Sequence, residues 1–208
     1  FGQGILSPSR LPIPPSARII YYTTVILVYM KQILLIHGGD SYSSYDAYLQ
    51  DLKSMQLDYA RLLPQKKWKQ TLSEELPGYD ILMPTFPNGY NANYDEWVIY
   101  FEKIIPFLTK DAQIIGHSLG AMFLANYLHS HILPVKVRRI ILLAGQYGER
   151  VGDDMGSFVV KSATGLDINS HEIHLFFSSD DPVIDFASLA RFETDIPSAI
   201  THKFTDRG

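Results

Sequence analysis

The sequence predicts an α/β fold, in which a mostly parallel β-sheet carries helices on both faces and has little or no cap. Short, continuous apolar runs typical of buried strands alternate along the chain with segments whose apolar residues recur at helical spacing. The 208 residues fit one domain, and 46% apolar against 19% charged residues suffices for a core. Because each parallel connection must cross over the sheet, the alternation places helices on both sides of it.

The strands and helices can be placed in order along the chain. Six strands are predicted, at residues 32–36, 79–83, 112–115, 139–143, 171–177 and 200–204. Four helices are predicted: one that begins with a capping box at Ser43 and Asp46 and continues to Met55, and three at residues 97–108, 118–128 and 185–192. Pro106 should disturb the last turn of the second helix. Residues 145–169 are rich in Gly, Asp and Ser and form either a long loop or a short cap.

Composition excludes several classes of function. The net charge is −4 and the charges are scattered, so the chain has no footprint for nucleic acid or for an anionic membrane surface. We therefore expect a small or neutral partner. The absence of cysteine excludes a disulfide framework, a thiolate metal site and a cysteine nucleophile. It also fits a reducing compartment, so a cytoplasmic location is predicted in preference to secretion.

The two ends of the chain differ from its body. Residues 1–29 are interpreted as an N-terminal extension outside the core, because residues 1–18 hold four prolines without any periodicity. The apolar stretch at 19–29 is too short to span a membrane and lacks a signal-peptide cleavage site. The folded domain is predicted over residues 30–208. Its last strand runs into an apparent turn at 206–208, so we expect the chain to be truncated at its C-terminus.

A G-x-S-x-G motif at residues 116–120 lies between a predicted strand and a predicted helix. That context is typical of a nucleophile elbow, which presents a serine at the tip of a sharp turn. Ser118 is therefore the candidate nucleophile. A Cβ at Gly116 or Gly120 would collide with neighbouring backbone, and His117 is interpreted as a support of the turn.

The same motif predicts where a negatively charged oxygen would be stabilised. Leu119 opens the helix after Ser118, so its N–H should point toward an oxyanion. A second N–H should come from the loop after the first strand, where His37 is followed by two glycines. We assign Gly39 first and Gly38 second.

A serine hydroxyl needs a base, and the base needs an orienting carboxylate. In this type of site the carboxylate and then the histidine follow the serine in the chain. Asp180 and Asp181 follow the strand at 171–177, and we favour Asp181, which lies next to Pro182. The alternative is that both aspartates merely cap the next helix. His202 follows them but lies in the middle of a strand, so it is a weak candidate for the base.

The Gly-His-Ser-Leu-Gly turn, the Ser-Ser-Asp-Asp-Pro loop at 178–182 and the closing residues 202–208 resemble one family. This family comprises the small, nearly cap-less α/β-hydrolases of the retinoblastoma-binding protein 9 type. The resemblance extends from about Lys31 to the end of the chain. It implies an α/β-hydrolase-like three-layer fold and serine hydrolase activity. In that family the aspartate before the proline is the triad acid, which supports Asp181. The family's base follows a Phe-x-Asp-x-Gly segment, so it is expected directly after Gly208.

The sequence contains other polar and aromatic residues with features of a site or of the core. The histidine pairs His129/His131 and His171/His174 have no third ligand nearby, so neither a metal nor a cofactor is expected. Three tyrosines fall in segments that should face the mouth of the site and are candidates for substrate contact: Tyr42, Tyr45 and Tyr147. Trp97 and Phe101 are instead predicted to lie in the core.

These features predict a serine hydrolase of the carboxylesterase type. Ser118 would form an acyl-enzyme with a small-molecule carboxylic ester, and amides and thioesters are further acyl substrates. The alternative is a non-catalytic α/β-hydrolase-fold module that binds a protein partner. A true terminus at Gly208 would favour that module, because the chain would then lack its base.

Overall fold

The computed structural model describes residues 18–19, 27–28, 31–64, 68–150 and 152–208. The chain divides into two compact units, Phe1–Met30 and Lys31–Gly208. In the first unit, strand β1 (Arg18–Ile19) pairs antiparallel with strand β2 (Leu27–Val28). The other predictions for residues 1–29 lie outside the described residues. Within the described ranges, no helix is both long and apolar enough to cross a bilayer.

The second unit is built on a six-stranded sheet in which every neighbouring pair of strands is parallel. Its strands run in the order β4-β3-β5-β6-β7-β8. Their bounds are Lys31–Ile36 (β3), Tyr79–Leu82 (β4), Gln113–His117 (β5), Val137–Leu143 (β6), Ser170–Ser178 (β7) and Ile200–Phe204 (β8). The six predicted strands and their parallel arrangement are confirmed. The strand order reverses between β3 and β5, so a ligand crevice is expected at the carboxyl ends of these two strands.

Seven α-helices are described in this unit: α1 (Tyr45–Ser54), α2 (Tyr59–Leu62), α3 (Trp68–Glu75), α4 (Tyr94–Ile104), α5 (Leu119–Ser130), α6 (Leu166–Asn169) and α7 (Ala187–Asp195). After α4 the chain tightens into a 3₁₀ turn at Ile105–Phe107, which contains Pro106 as predicted. The sequence did not predict α2, α3 or α6. These helices have 4, 8 and 4 residues, which is too short for a clear apolar period.

The two sides of the sheet differ in burial. One side, the packed face, carries core residues from β3, β5, β6 and β7: Leu34, Ile36, Ile114, Ile140, Leu142, Ile173, Leu175 and Phe177. On the other side of β5 to β8, the half-exposed face carries residues of intermediate burial: Ile115, His117, Ile141, Leu143, His174, Phe176 and His202. Because successive side chains of a strand point to opposite faces, neighbouring residues have very different surroundings.

Helix α5 lies in the core, where Phe123 is fully buried. Trp97 and Phe101 of α4 are also fully buried and pack edge-on against the Phe123 ring, with centroids 5.6 and 5.3 Å away. The prediction that Trp97 and Phe101 are core residues is confirmed. The packing fixes α5, and therefore the turn that precedes it, against the sheet.

The predicted capping box at Ser43 is wrong. The N-cap of α1 is Ser44, whose Oγ accepts a hydrogen bond from the Ala47 N–H at 3.1 Å. Ser43 instead donates from both its N–H and its Oγ to Asp154 Oδ2, at 2.7 Å each. A partner 111 residues away decides the local choice between two adjacent serines.

Residues 145–169, for which a loop and a short cap were both predicted, form a loop with one 3₁₀ turn at Gly156–Phe158 before α6 begins. Its apolar residues Phe158 and Val160 are fully buried in the core. The segment is therefore anchored to the domain rather than raised over it as a cap.

Candidate active site

Ser118 lies in the sharp turn between β5 and α5 and has a backbone conformation that is rare for a residue with a side chain. Its φ is 54° and its ψ is −120°. Such a conformation costs on the order of 1–3 kcal/mol and persists only where the surroundings fix it. Here the Ser118 N–H donates to the Leu143 carbonyl of β6 at 2.9 Å, and α5 continues directly from the turn. Ser118 is half-buried, so it is not enclosed in the core.

The glycines on either side of Ser118 allow three segments of backbone to approach closely. A Cβ on Gly116 would lie 2.5 Å from the Gly120 carbonyl oxygen, and a Cβ on Gly120 would lie 2.5 Å from the Ile36 carbonyl oxygen. Both distances are shorter than any Cβ contact that a backbone tolerates. The turn therefore requires glycine at both positions, for the steric reason that the motif predicts.

The backbone of Leu119 and of the glycines after β3 lies beside Ser118. Leu119 is the first residue of α5, and the first N–H groups of a helix have no partner within the helix and form its positive end. Gly39, from the loop after β3, lines the same cleft as Ser118 and Leu119. A Cβ on Gly38 would lie 3.0 Å from the Ser118 Cβ, so the backbone of Gly38 passes close to the serine side chain.

His37 holds this loop in place. Its Nε2 accepts a hydrogen bond from the Phe86 N–H at 2.8 Å, so Nδ1 carries the ring proton and donates to the Gly38 carbonyl at 2.6 Å. The ring also packs edge-on against Phe86 and Trp97, with centroids 5.8 and 5.4 Å away. The sequence did not indicate this role, because the backbone partner lies 49 residues away.

The acidic loop after β7 uses its two aspartates differently. Asp180 accepts hydrogen bonds from the Ser178 hydroxyl and, at 2.9 Å, from the Gly208 N–H, and these bonds, led by the one from Ser178, lower its pKa. Asp181 Oδ1 accepts from the N–H groups of Val183 and Ile184 at 2.8 and 3.0 Å. Asp181 thus holds the turn at Val183 and Ile184 with one of its two carboxylate oxygens, whereas the N-cap of α7 is Phe186, so neither aspartate caps that helix as the alternative interpretation predicted.

Arg150 fixes the other side of the acidic loop. Its guanidinium donates to the carbonyls of Pro182, at 3.0 Å, and Val183, and it forms an ion pair with Asp153 at 2.8 Å. No motif marked this arginine, because its partners belong to a distant loop. The contacts with Pro182 and Val183 hold the turn after Asp181 against Arg150, and the ion pair with Asp153 holds the guanidinium.

The last described residue lies against the acidic loop. A Cβ on Gly208 would lie 2.5 Å from the Asp181 backbone nitrogen. The preceding residue, Arg207, donates from its N–H to the Ser178 hydroxyl at 3.0 Å. The backbone at Gly208 is therefore directly beside the backbone of Asp181.

His117 lies immediately before Ser118 and on the half-exposed face. Its Nδ1 is 3.4 Å from Lys69 Nζ, and its ring contacts the edge of Trp68 with a centroid separation of 6.1 Å. Burial, reinforced by the charge of Lys69 and opposed by that of Asp181, lowers the pKa of His117 to about 4. His117 is therefore neutral at pH 7.

His202, the weak candidate for the base, is engaged elsewhere. Its ring stacks on Phe176 at 4.1 Å between centroids, and its Nε2 is 2.9 Å from His174 Nδ1. The strand register places Leu143 and Phe176 between His117 and His202, a span of three strand spacings or roughly 14 Å. The interpretation of His202 as the base is not supported by this geometry.

Two of the three candidate tyrosines line pockets near Ser118, and the third has other contacts. Tyr42 lines the cleft beside Ser118, and its hydroxyl donates to Asp51 Oδ2 at 2.8 Å, while burial and this bond raise the pKa of Tyr42. Tyr45 is the first residue of α1 and lines a neighbouring pocket. Tyr147 was predicted to face the mouth of the site. Instead, its hydroxyl donates to Asp195 at 2.6 Å and its ring packs against Phe192.

The cleft that contains Ser118 has a volume of about 760 Å³. Its walls come from the loop after β3, one side of α1, the start of α5, residues 152–155 and the turn after Asp181. Apolar side chains in these walls include Met55, Met122, Met155, Val183 and Ile184. A space of this size and mixed polarity is suited to a small organic substrate.

The histidine pairs that were considered as metal ligands have other contacts. His129 Nδ1 is 3.1 Å from the Thr164 carbonyl, and the His131 ring stacks on Tyr127 at 4.3 Å. His174 is bonded to Glu172 and His202. Across the part of the chain that the structure describes, no three His, Cys, Asp or Glu side chains are grouped as a metal site requires.

The chain has a parallel sheet, and the strained turn at Ser118 joins a strand to a helix at the point where the strand order reverses. These features define the chain as an α/β-hydrolase-fold protein. Solved structures share the fold. The ydeN gene product of B. subtilis has a TM-score of 0.66 and 18% identity, covering 86% of this chain and 87% of that one. A YdeN-like hydrolase from Pectobacterium atrosepticum has a TM-score of 0.55 and 16% identity, with 83% and 77% covered.

Sequence comparison then gives the family. The model of the Serine hydrolase family matches residues 63–204, so the chain belongs to that family. It is also 28% identical over 151 residues to the serine hydrolase RBBP9 of Rattus norvegicus, which covers 68% of this chain and 75% of the relative. The resemblance to hydrolases of the retinoblastoma-binding protein 9 type is thereby confirmed.

Proposed function

We propose that this serine hydrolase cleaves carboxylic esters through an acyl-enzyme on Ser118. The observation that carries the proposal is the strained backbone at Ser118, with φ of 54° at the start of α5 and inside the cleft. Strain of this kind is retained where a side chain must be presented in one position. Amides and thioesters are further acyl substrates of the same chemistry.

In the proposed reaction, Ser118 and two backbone N–H groups of this chain act together with a base. The Ser118 hydroxyl attacks the acyl carbonyl and transfers its proton to a base, and the N–H groups of Leu119 and Gly39 stabilise the oxyanion. The alcohol then leaves with a proton returned by the base. Water finally hydrolyses the acyl-enzyme by the same route.

We assign the base to a histidine at the position that follows Gly208, oriented by Asp181. Gly208 packs against the backbone of Asp181, so the next residue would begin beside that carboxylate. The acidic loop follows β7, two strands from β5, so the two backbones are roughly 10 Å apart. The side chains of Ser118 and Asp181, together with an imidazole bonded through both nitrogens, can bridge this distance. Arg150 supports the assignment by fixing the turn after Asp181.

The proposal is tested on a chain that continues past Gly208. We expect it to hydrolyse p-nitrophenyl acetate and to be labelled by a fluorophosphonate at Ser118. Ser118→Ala should abolish labelling and lower kcat/KM by at least about 10⁴-fold. Ser130→Ala, at the exposed far end of the same helix, is the matched control and should change neither. A folded chain that neither hydrolyses the ester nor reacts with the probe would contradict the proposal and favour the non-catalytic module.

A second pair of variants tests the choice between the two aspartates. Asp181→Asn keeps an acceptor for the Val183 and Ile184 N–H groups but loses the charge that orients the base, so kcat should fall by about 10⁴-fold. Asp180→Asn keeps its acceptor for Gly208 and should change kcat less than about tenfold. The opposite ranking in steady-state assays would assign the acid to Asp180.

A further inference from the structure

A second and larger pocket lies beside the catalytic cleft. Its volume is about 960 Å³, and it lies between the start of α1 and the loop at residues 88–93. Tyr42 lines both this pocket and the cleft that contains Ser118. We call it the tyrosine pocket and define it by Tyr45, Tyr48, Asn88, Tyr90, Asn91 and Glu96. None of these six residues takes part in the proposed ester hydrolysis.

Aromatic rings are exposed in the tyrosine pocket. Tyr45 is 65% exposed and Tyr90 is 75% exposed, so both rings are accessible to a ligand. Tyr48 connects Tyr45 to Tyr42, with ring centroids 5.9 and 5.4 Å apart, so three rings form a continuous surface toward the cleft. Exposed aromatic faces that line a pocket provide a flat surface for a ligand with an apolar face.

Planar polar groups accompany the rings. The Asn88 Nδ2 donates to Glu96 Oε2 at 2.8 Å, which orients both side chains and uses one donor of the amide and one oxygen of the carboxylate. The Asn88 carbonyl oxygen and the second Glu96 oxygen have further acceptor capacity. Asn91 adds a second amide to the lining. The lining therefore offers both donors and acceptors, the two capacities that a sugar hydroxyl can pair with.

The loop at residues 88–93 forms the polar wall of the pocket, and hydrogen bonds hold this loop in place before any ligand binds. The Gly89 carbonyl accepts from the Asp40 N–H at 2.9 Å, and the Asp40 carbonyl accepts from the Ala92 N–H at 2.8 Å. The Trp97 indole donates to the Pro87 carbonyl at 2.8 Å. Asn88 is held at a φ of 50°, which asparagine tolerates better than most residues. A ligand would therefore bind without first ordering the loop.

The charge of the lining decides among ligand classes. Among the described residues that line the pocket, Glu96 is the one charged side chain, and it is acidic. A phosphate or carboxylate ligand would therefore find no cationic partner there. The amides, hydroxyls and carboxylate would remain unpaired beneath an acyl chain, which disfavours a lipid.

We propose that the tyrosine pocket binds a neutral saccharide. A pyranose ring has an apolar C–H face that packs on an aromatic ring and hydroxyl groups at its edge that pair with amides and carboxylates. Tyr45 and Tyr90 contact the sugar faces, and Asn88, Asn91 and Glu96 bond to the hydroxyls. Tyr42 lines both the tyrosine pocket and the cleft that contains Ser118. The bound saccharide is therefore the alcohol part of the ester that Ser118 attacks, and this part of the proposal rests on the proposed function.

Binding is measured by titration calorimetry on the Ser118→Ala protein, so that no turnover is involved. The probes are chitotriose, cellotriose and xylotriose at up to about 10 mM. We expect at least one trisaccharide to bind, and Tyr90→Ala and Tyr45→Ala each to weaken its binding by about tenfold or more. Tyr59→Ala is the matched control, since Tyr59 is 76% exposed but lies in α2, outside the pocket. It should leave binding unchanged.

Two results overturn the proposal. One is that none of the three trisaccharides binds. The other is that Tyr90→Ala and Tyr59→Ala bind equally well while circular dichroism shows that both are folded. Asn91→Ala provides an independent check on the polar wall, because loss of an amide should weaken binding without removing a ring.

A kinetic arm separates this proposal from the proposed function. A chain that continues past Gly208 is assayed with acetylated xylotriose and with p-nitrophenyl acetate. We expect Tyr90→Ala to lower kcat/KM about tenfold for the sugar ester and to leave the p-nitrophenyl ester unchanged. Equal effects on both esters would overturn the assignment of the sugar as the alcohol part. If a trisaccharide binds but neither ester is cleaved, the pocket stands and the ester hydrolysis fails.

Discussion

The two faces of the sheet place neighbouring residues in opposite environments. On the packed face, Leu142 is fully buried in the core cluster that includes α5. On the half-exposed face, the next residue, Leu143, is only partly covered, and its carbonyl fixes the Ser118 N–H. The packed face therefore provides the free energy that holds the turn, while the half-exposed face provides few core contacts.

The polar groups of the two faces differ as well. Arg139 donates to Gln113 and Glu172, and Glu172 is 3.2 Å from His174, which is bonded to His202. These side chains lie in the same alternating set as the half-exposed face. The comparison teaches that, over strands β5 to β8, core packing is concentrated on one side of the sheet and titratable groups on the other.

The largest expected effect comes from truncating adjacent leucines of β6. Leu142→Ala removes a fully buried side chain and should lower the free energy of unfolding by about 2–5 kcal/mol. Leu143→Ala leaves a gap that solvent partly fills and should cost no more than about 1.5 kcal/mol. Urea denaturation of both variants measures the difference. Equal losses would show that the second face is as well packed as the first.

An intermediate effect is expected from the titration of His117. In the folded state the pKa of His117 is about 4, whereas the ordinary pKa of a histidine side chain, which applies in the unfolded chain, is 6.5. As pH falls from 7 to 5, the unfolded chain takes up a proton that the folded chain does not, so His117 should lower the free energy of unfolding by about 2 kcal/mol. This contribution is present above pH 6.5 and is lost progressively down to about pH 4.

The contribution of His117 is isolated with His117→Gln. Denaturation curves at pH 5, 6 and 7 should show a shallower dependence of stability on pH for this variant than for the parent chain. His202, whose pKa burial also lowers, titrates in the same direction and remains in both proteins. An unchanged slope would mean that the half-exposed face admits more water at His117 than its contacts indicate.

The smallest effect is expected at the exposed edge of the sheet. Lys203 of β8 pairs with Glu193 of α7 at 3.1 Å, and both side chains are more than a third exposed. Lys203→Ala should therefore change the free energy of unfolding by no more than about 0.5 kcal/mol. Thermal denaturation in low and high salt gives the measurement, and a shift as large as that of Leu143→Ala would contradict the expectation.

The sequence predicted the sheet better than the smaller elements. Strands such as residues 200–204 are continuous or alternating runs whose signal depends on near neighbours, and their bounds agree with the structure within two residues. The short helices α2 and α6 have no such periodicity. The cap of α1 moved from Ser43 to Ser44 because Asp154, far along the chain, binds Ser43.

The candidate site also contains parts that the sequence predicted and parts that it did not. The turn at Ser118, the glycines around it and the acidic loop could be located from motifs, because backbone geometry restricts which residues fit there. His37 and Arg150, which hold the two loops, could not be located, since their partners are distant carbonyl and N–H groups. Tyr147 was placed at the mouth, yet it bonds to Asp195.

By itself, the sequence determined the α/β class, the strand-to-helix turn at Ser118 and the position of the acidic loop. Each of these depends on residues close together in the chain, whose steric limits or periodicity can be read locally. Tertiary structure alone decided which serine caps α1, that His202 lies three strands away from β5, and that four tyrosines line one pocket. These outcomes depend on contacts between segments far apart in the chain, which no local pattern encodes.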